Sequence, residues 1–305
     1  MKSTLSLYFA SERTYFALAA PTEQGLELQF ASYVTETVRG EEDYLNALEK
    51  LEKVLPAIAA QAESLTMCVP IENVFVHHFP ALPISAQDEL KRLLGIEIRQ
   101  AYPHYTLDDF TGQVYPLVPA LDGNSQMLAV LMDKKYLMAC EFVLGVTART
   151  LEATHISQFA AHGAFAYNYP EYNTSTVMLA GVQERFVDIS ILRNGKLAYY
   201  NLFSLNSPES LTHAATLALE AVLAGIVPYV DAAFFFGPGL RQDTLQSLRS
   251  SFQIPAHRMN AFRYVKTAPG MSQKQIDYCI RTAHLYPSVI GSMLPPLQEQ
   301  DIIFL

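Results

Sequence analysis

Gly237-Pro238-Gly239 follows an apolar run and precedes a helical one, so the amides at that helix N-terminus can receive an anion. A plain tight turn explains the same string, because the third glycine of a dinucleotide fingerprint is missing and the proline removes one donor. Other chemistry-bearing residues are present without the spacing their chemistry needs. His77 and His78 are neighbours on a strand, so their side chains leave on opposite faces and do not chelate one ion. Ser157 caps a helix between His155 and His162 and breaks the register that would align them. There is no Gly-x-Ser-x-Gly elbow and no His-Glu-x-x-His, so neither an activated hydroxyl nor a zinc site is written locally. The carboxylates Glu41-Glu42-Asp43 and Asp108-Asp109 fall at a helix start and in a loop, where capping is their ordinary use. No catalytic residue and no metal site is assigned.

Bulk properties narrow the function classes further. At 305 residues with half of them apolar, the chain has room for two lobes with real interiors. A net charge of −9 offers no general basic surface for phosphates, and the pairs Lys91-Arg92 and Lys134-Lys135 read as solvated faces, so nucleic acid is not expected as a partner. Cys68, Cys140 and Cys279 are odd in number and widely spaced, which fits a reducing compartment. No window approaches the roughly 18 apolar residues needed to span a bilayer. A soluble, cytoplasmic chain with no direct membrane span is expected, able to lie peripherally at the inner face of a membrane through a partner.

The elements that must position any site follow from hydrophobic period. Strands are predicted at 5–10, 14–20 and 26–34, a helix at 41–62, strands at 65–69 and 74–79, and a helix at 85–102 stopped by Pro103. Strands at 110–117 and 127–132, a helix at 134–146, a strand at 150–154 and a helix from Ser157 to residue 167 complete the first half. After a polar turn the grammar repeats: strands at 177–181, 186–192 and 196–205 around an Asn194-Gly195 hairpin, then a helix at 208–223. A strand at 229–236, a helix at 240–252, a strand at 256–259 and a helix at 272–285 follow. Three strands and a helix, written twice, predict an α/β protein of two lobes with ligands at strand ends or between the lobes.

Several strings on this frame resemble the actin-like ATPase superfamily and, within it, the PilM family of type IV pilus assembly proteins. They are Val69-Pro70, Val74-Phe75-Val76, the Leu82-Pro83 break and the run from Glu97 to Pro103, with Asp188-Ile189-Ser190-Ile191-Leu192 and Phe234-Phe235-Phe236-Gly237-Pro238-Gly239. The resemblance covers about residues 3–291. It implies an actin-like (ribonuclease H-like) duplicated fold with mixed sheets covered by helices: a first lobe over 1–168, carrying an inserted subdomain at about 70–118, and a second lobe over 169–305. Positions that would meet a nucleotide are then Ser11 and Arg13 in the first hairpin, Gly181 and Gln183 in the second, and Gly237 and Gly239 at the nucleoside end.

The departures from that pattern decide the functional expectation. Where the family opens with Asp-x-Gly, Tyr8 and Ala10 stand, and a phenol does not replace a carboxylate near magnesium. The second hairpin reads Ala180-Gly181-Val182-Gln183-Glu184-Arg185, without an initial aspartate. The expectation is a non-catalytic or weakly nucleotide-binding scaffold that needs no cofactor, ATP and magnesium staying open as ligands. Its partner would be a protein, as in a membrane-associated pilus or secretion-type assembly. Tyr102, Tyr105, Phe110 and Tyr115 are the partner-binding candidates, with a small aromatic core as the other reading. An active Mg-ATP-dependent ATPase or kinase is the alternative, for which Asp188 is the one nameable base, and a binding-only ATP sensor is a third. The apolar segment 301–305 would dock on its own body or on a partner.

Overall fold

A computed structural model describes residues 2–40, 44–81, 87–295 and 303–304. The clusters Glu41-Glu42-Asp43 and Leu82-Pro83, the proposed cap Ser85, and Asp301, Ile302 and Leu305 lie outside the described residues.

Three apolar strands form the opening meander: β1 (Thr4–Phe9), β2 (Thr14–Thr22) and β3 (Gly25–Val34). All but the first residue of β1 are buried, as in a strand covered on both faces, whereas β3 alternates along its first half. The helix α1 (Tyr44–Ala59) buries Ala47, Leu51, Leu55 and Ala59, one stripe at a spacing of four. Next come β4 (Ser64–Val69), β5 (Val74–Pro80), α2 (Gln87–Ala101), β6 (Phe110–Pro116) and β7 (Gln126–Asp133). Asp133 caps α3 (Lys134–Leu144) by accepting from the Lys135 amide at 2.8 Å, and β8 (Leu151–Ile156) leads into α4 (Ser157–Asn168).

The second half lays down β9 (Thr176–Val182), β10 (Phe186–Arg193), β11 (Lys196–Ser204), α5 (Pro208–Leu223), β12 (Ala232–Phe236), α6 (Gln242–Ser251) and β13 (Ala256–Arg258). Then follow β14 (Lys266–Thr267), α7 (Gln273–Thr282), α8 (Pro287–Gly291) and β15 (Ile303–Phe304).

The duplication is explicit in the sheets. The first has the order β14-β3-β2-β1-β4-β8 and the second β11-β10-β9-β12-β13. In each, three antiparallel strands are followed by two that run parallel to the first strand of the meander. Helices cover both sheets, so the expected α/β class and actin-like architecture are what the chain adopts.

Two details depart from the expected boundaries. The inserted subdomain closes later than residue 118, because β7 is its central strand and pairs with both β5 and β6 in the sheet β15-β6-β7-β5. The stretch after 168 is also shared between lobes: β14 pairs with β3, and α8 packs on β1, β2 and β4. Burial explains the return, since Tyr286, Val289 and Ile290 are fully buried in the same apolar cluster as Leu5, Leu7 and Met67.

Candidate functional site

The two hairpins that face each other across the lobes are the β1–β2 turn, residues 10–13, and the β9–β10 turn, residues 183–185. Between them and the end of β4 lies a cavity of about 250 Å3, to which Ser11 and Glu12, Glu72 and Asn73, and Glu184 and Arg185 all contribute. It sits at the carboxyl ends of parallel strands, where α/β folds place ligands.

At the floor the hairpins are joined. The Gln183 amide donates from Nε2 to the Tyr8 hydroxyl at 2.9 Å, a buried bond between residues 175 positions apart. Burial, and after it the charge of Glu72, holds the Tyr8 phenol well above its ordinary range, so it stays neutral. Replacing Tyr8 with Phe strips Gln183 of this partner while its Oε1 already lacks one. Tyr8→Phe is expected to cost about 1–2 kcal/mol, read as a lower urea midpoint with an unchanged slope, and Tyr8→Phe/Gln183→Leu to recover part of it.

Glu12, Glu72 and Glu184 line the cavity together with Arg39 and Arg185. Ser11 Oγ donates to Glu72 Oε1 at 2.5 Å, while Glu72 Oε2 is buried without a partner. Glu184 is raised from the usual carboxylate range, first by burial and then by the hydrogen bond and charge of Glu12 from the opposite hairpin. Two acidic groups from opposite lobes therefore meet beside the cavity, with Arg241 and Arg13 partly offsetting their charge.

Behind the second hairpin Asp188 is buried and accepts from the Gly181 amide at 3.0 Å through Oδ1. Burial, then the Glu72 charge, raises its pKa well above the ordinary value against the pull of that amide, so the acid is neutral. A Cβ on Gly181 would stand 2.2 Å from Asp188 Oδ1 and 2.7 Å from Gln158 Oε1, so glycine is required here by side-chain crowding. Gln158 Nε2 donates to Ser190 Oγ at 3.0 Å, and His162 Nε2 lies 2.9 Å from the same hydroxyl. Burial lowers His162 to about 3, which leaves it neutral. This cluster is an internal packing of neutral polar groups.

The other expected ligand positions are engaged elsewhere. Gly237 (φ +102°) donates its amide to His284 O at 2.8 Å and Gly239 donates to Val182 O at 2.9 Å, so both amides are already satisfied by backbone. A Cβ on Gly239 would stand 2.1 Å from Gln183 O, so the turn lies directly on the second hairpin's backbone and is built for close approach. Arg13 stacks its guanidinium on Tyr33 at 4.9 Å. Of the six expected ligand positions only Ser11 lines the cavity. Glu72 was not singled out in sequence; its signal is its place just past the carboxyl end of a parallel strand. Among the described residues no group of three or more His, Cys, Asp or Glu could hold a metal ion.

The aromatic candidates divide. Tyr102, Tyr105 and Phe110 form one cluster, with ring centroids 5.6–6.1 Å apart, on Phe75. Phe110 is buried in the subdomain core, and Tyr102 is 43% exposed. Tyr115 is not part of the cluster. It stacks on Phe159 of α4 at 4.7 Å, at the junction of subdomain and first lobe.

Comparison with solved structures agrees with the strand orders: the chain has the actin-like ATPase fold. It superposes on a structure described as the PilM-PilN type IV pilus biogenesis complex with a TM-score of 0.75 and 11% identity, covering 95% of this chain and 97% of the other. A Bacteroides thetaiotaomicron protein of actin-like ATPase fold and unknown function matches with a TM-score of 0.53 and 14% identity, covering 85% and 91%. The cytoplasmic domain of EpsL, an inner membrane component of the Vibrio cholerae type II secretion system, matches with a TM-score of 0.50 and 13% identity, covering 92% and 94%. No protein-family profile and no curated protein matches the sequence.

Proposed function

We propose that this chain is a non-catalytic scaffold on an actin-like frame, which binds a protein partner in a membrane-associated assembly of the pilus or secretion kind and has lost productive Mg-ATP binding. The observation that carries the reading is the Tyr8–Gln183 hydrogen bond, which ties the two hairpins together. Their counterparts in the family grip phosphate.

Donor chemistry supports it. A triphosphate with its metal needs anionic oxygens for the cation and free amides for the phosphates. Here the first hairpin offers a neutral phenol, the acid in β10 is neutral and enclosed, and the Gly237 and Gly239 amides are spent. Glu12, Glu72 and Glu184 around the cavity would oppose the phosphates and outnumber Arg39 and Arg185 in the same lining. The assembly class rests on fold likeness to structures named for a pilus biogenesis complex and for a secretion-system component. No described helix is long and apolar enough to cross a membrane, so attachment through a partner fits a peripheral position on the cytoplasmic side.

A thermal-shift titration tests the nucleotide half of the reading. A ligand held at one hundred times its Kd adds about 2.7 kcal/mol, which is roughly 4 °C for a chain of this size. No rise in Tm above about 1 °C is expected with millimolar ATP, ADP or either with magnesium. A saturable rise of the larger size overturns the reading, and recovery of no membrane-assembly protein from native cells overturns the partner half.

A further inference from the structure

The inserted subdomain carries two apolar clusters among its described residues. They draw on Phe75 and Phe79 of β5, Leu90, Leu94 and Ile98 of α2, and residues of β6 and β7. β7 pairs with β6 along the full length of β6, from Phe110↔Asp133 to Pro116↔Met127. That leaves β6 as an edge, and an edge strand is a template for another chain unless something blunts it. The edge at β5 ends in Pro80, a residue that cannot donate to a ladder.

The edge at β6 is blunted differently. Ile303 and Phe304 come to it from 187 positions beyond Pro116 and pair antiparallel, Ile303 with Val114 and Phe304 with Gln113. The local sequence Ile302-Ile303-Phe304-Leu305 is β-branched and aromatic, the composition that favours strand. Among the described residues this ladder is two residues long, and so short a pairing is marginal by itself. Attachment to the same chain sustains it, because a short tether supplies an effective concentration on the order of millimolar.

We propose that the outer edge of β6 is a strand-docking site that residues 303–304 hold closed in cis, so that release of this segment opens the edge to an extended apolar strand. The site accepts such a strand through backbone hydrogen bonds, in the antiparallel register the resident segment uses. The inference adds to the scaffold reading without resting on it, since the edge takes a strand whether or not the cavity takes nucleotide.

The test uses the full chain, a full-length I303P/F304P variant whose replaced residues cannot donate to the ladder, and a fluorescent peptide with the sequence of residues 299–305. Anisotropy should show the variant binding the peptide at least 10-fold more tightly than the unmodified chain, the factor by which the cis segment competes. Amides in residues 110–116 should exchange faster in the variant and recover their protection when peptide is added. A second full-length variant, Q113C/F304C, locks the segment once oxidised; Cys68, Cys140 and Cys279 are buried and do not compete. The locked chain should bind no peptide, and reduction should restore the unmodified behaviour. Equal affinity of variant and unmodified chain, no binding by the variant up to 1 mM, the concentration scale of the tether, or peptide binding to the locked chain each overturns the proposal. So does failure of I303P/F304P to fold, because a releasable segment is not one that folding requires.

Discussion

Substituting Gly291 with Ala is expected to lower stability by about 3 kcal/mol, seen as a drop in Tm of roughly 5 °C. The reason is backbone meeting backbone. A methyl group at Gly291 would stand 1.7 Å from the carbonyl oxygen of Ala160 and 2.5 Å from its carbon. These atoms belong to α4, which cannot yield as the tip of a flexible side chain can, so α8 must lift away from α4 and from the sheet beneath it. Every residue of α8 is buried, and its departure would uncover apolar surface on β1 and β4. Gly163, on α4 at the same crossing, is the control. Its added methyl would meet nothing nearer than Gly291 O at 3.5 Å, an ordinary contact. Gly163→Ala should therefore leave stability unchanged or raise it, by up to about 1 kcal/mol from helix propensity. Calorimetry on the two variants distinguishes close helix packing from a general intolerance of alanine.

The second large effect is a gain. Asp188→Asn should stabilise the chain at neutral and alkaline pH, by an amount on the order of 1–3 kcal/mol, the scale of an unmatched buried polar group. Burial raises the folded-state pKa of Asp188 well above its unfolded value. Stability from this group is therefore fully present below the unfolded carboxylate range and is lost as pH rises towards the folded pKa, since the unfolded chain ionises while the folded chain must hold its proton. An amide carries no such liability. Like the protonated acid it replaces, it offers one acceptor, for the Gly181 amide, and a donor. Urea unfolding from pH 4 to pH 8 should show the two proteins alike at the acid end and diverging upward, with Asn ahead. An active ATPase or kinase that used Asp188 as its base would instead lose turnover in the same variant, so one substitution separates scaffold from enzyme.

Much of the frame was legible in the amino-acid sequence. Apolar runs long enough to show a period, such as those of β1, β9 and β12, announce strands. The stripe of α1 announces a helix, and α4 starts at Ser157 as expected, although Ile156 and not Ser157 holds the cap position and no side chain caps it. What was missed is short. β14 and β15 have two residues each and α8 has five, too few for any period, and they form because a distant surface lies ready to pair with or cover them. The missing aspartate of the first hairpin was visible as Tyr8, but its bond to Gln183 spans two lobes and no local spacing reveals it. Gly181, Gly237 and Gly239 were read as ligand contacts. In the structure their lack of a Cβ makes room for Asp188, Gln158 and the backbone of the second hairpin. Asp188 was read as the one nameable base of an active enzyme. Its interest lies in being enclosed and neutral, a property of what surrounds it.

The return of β14 and α8 to the first sheet has a consequence for how this molecule can be cut or moved. The two halves are buckled, with peptide crossing between them more than once, so a swing of one against the other must bend several strands of chain together. A fragment ending near residue 168 would carry a raw apolar wound where Tyr286, Val289 and Ile290 belong, and a protein engineer seeking an autonomous first half would have to graft that patch back.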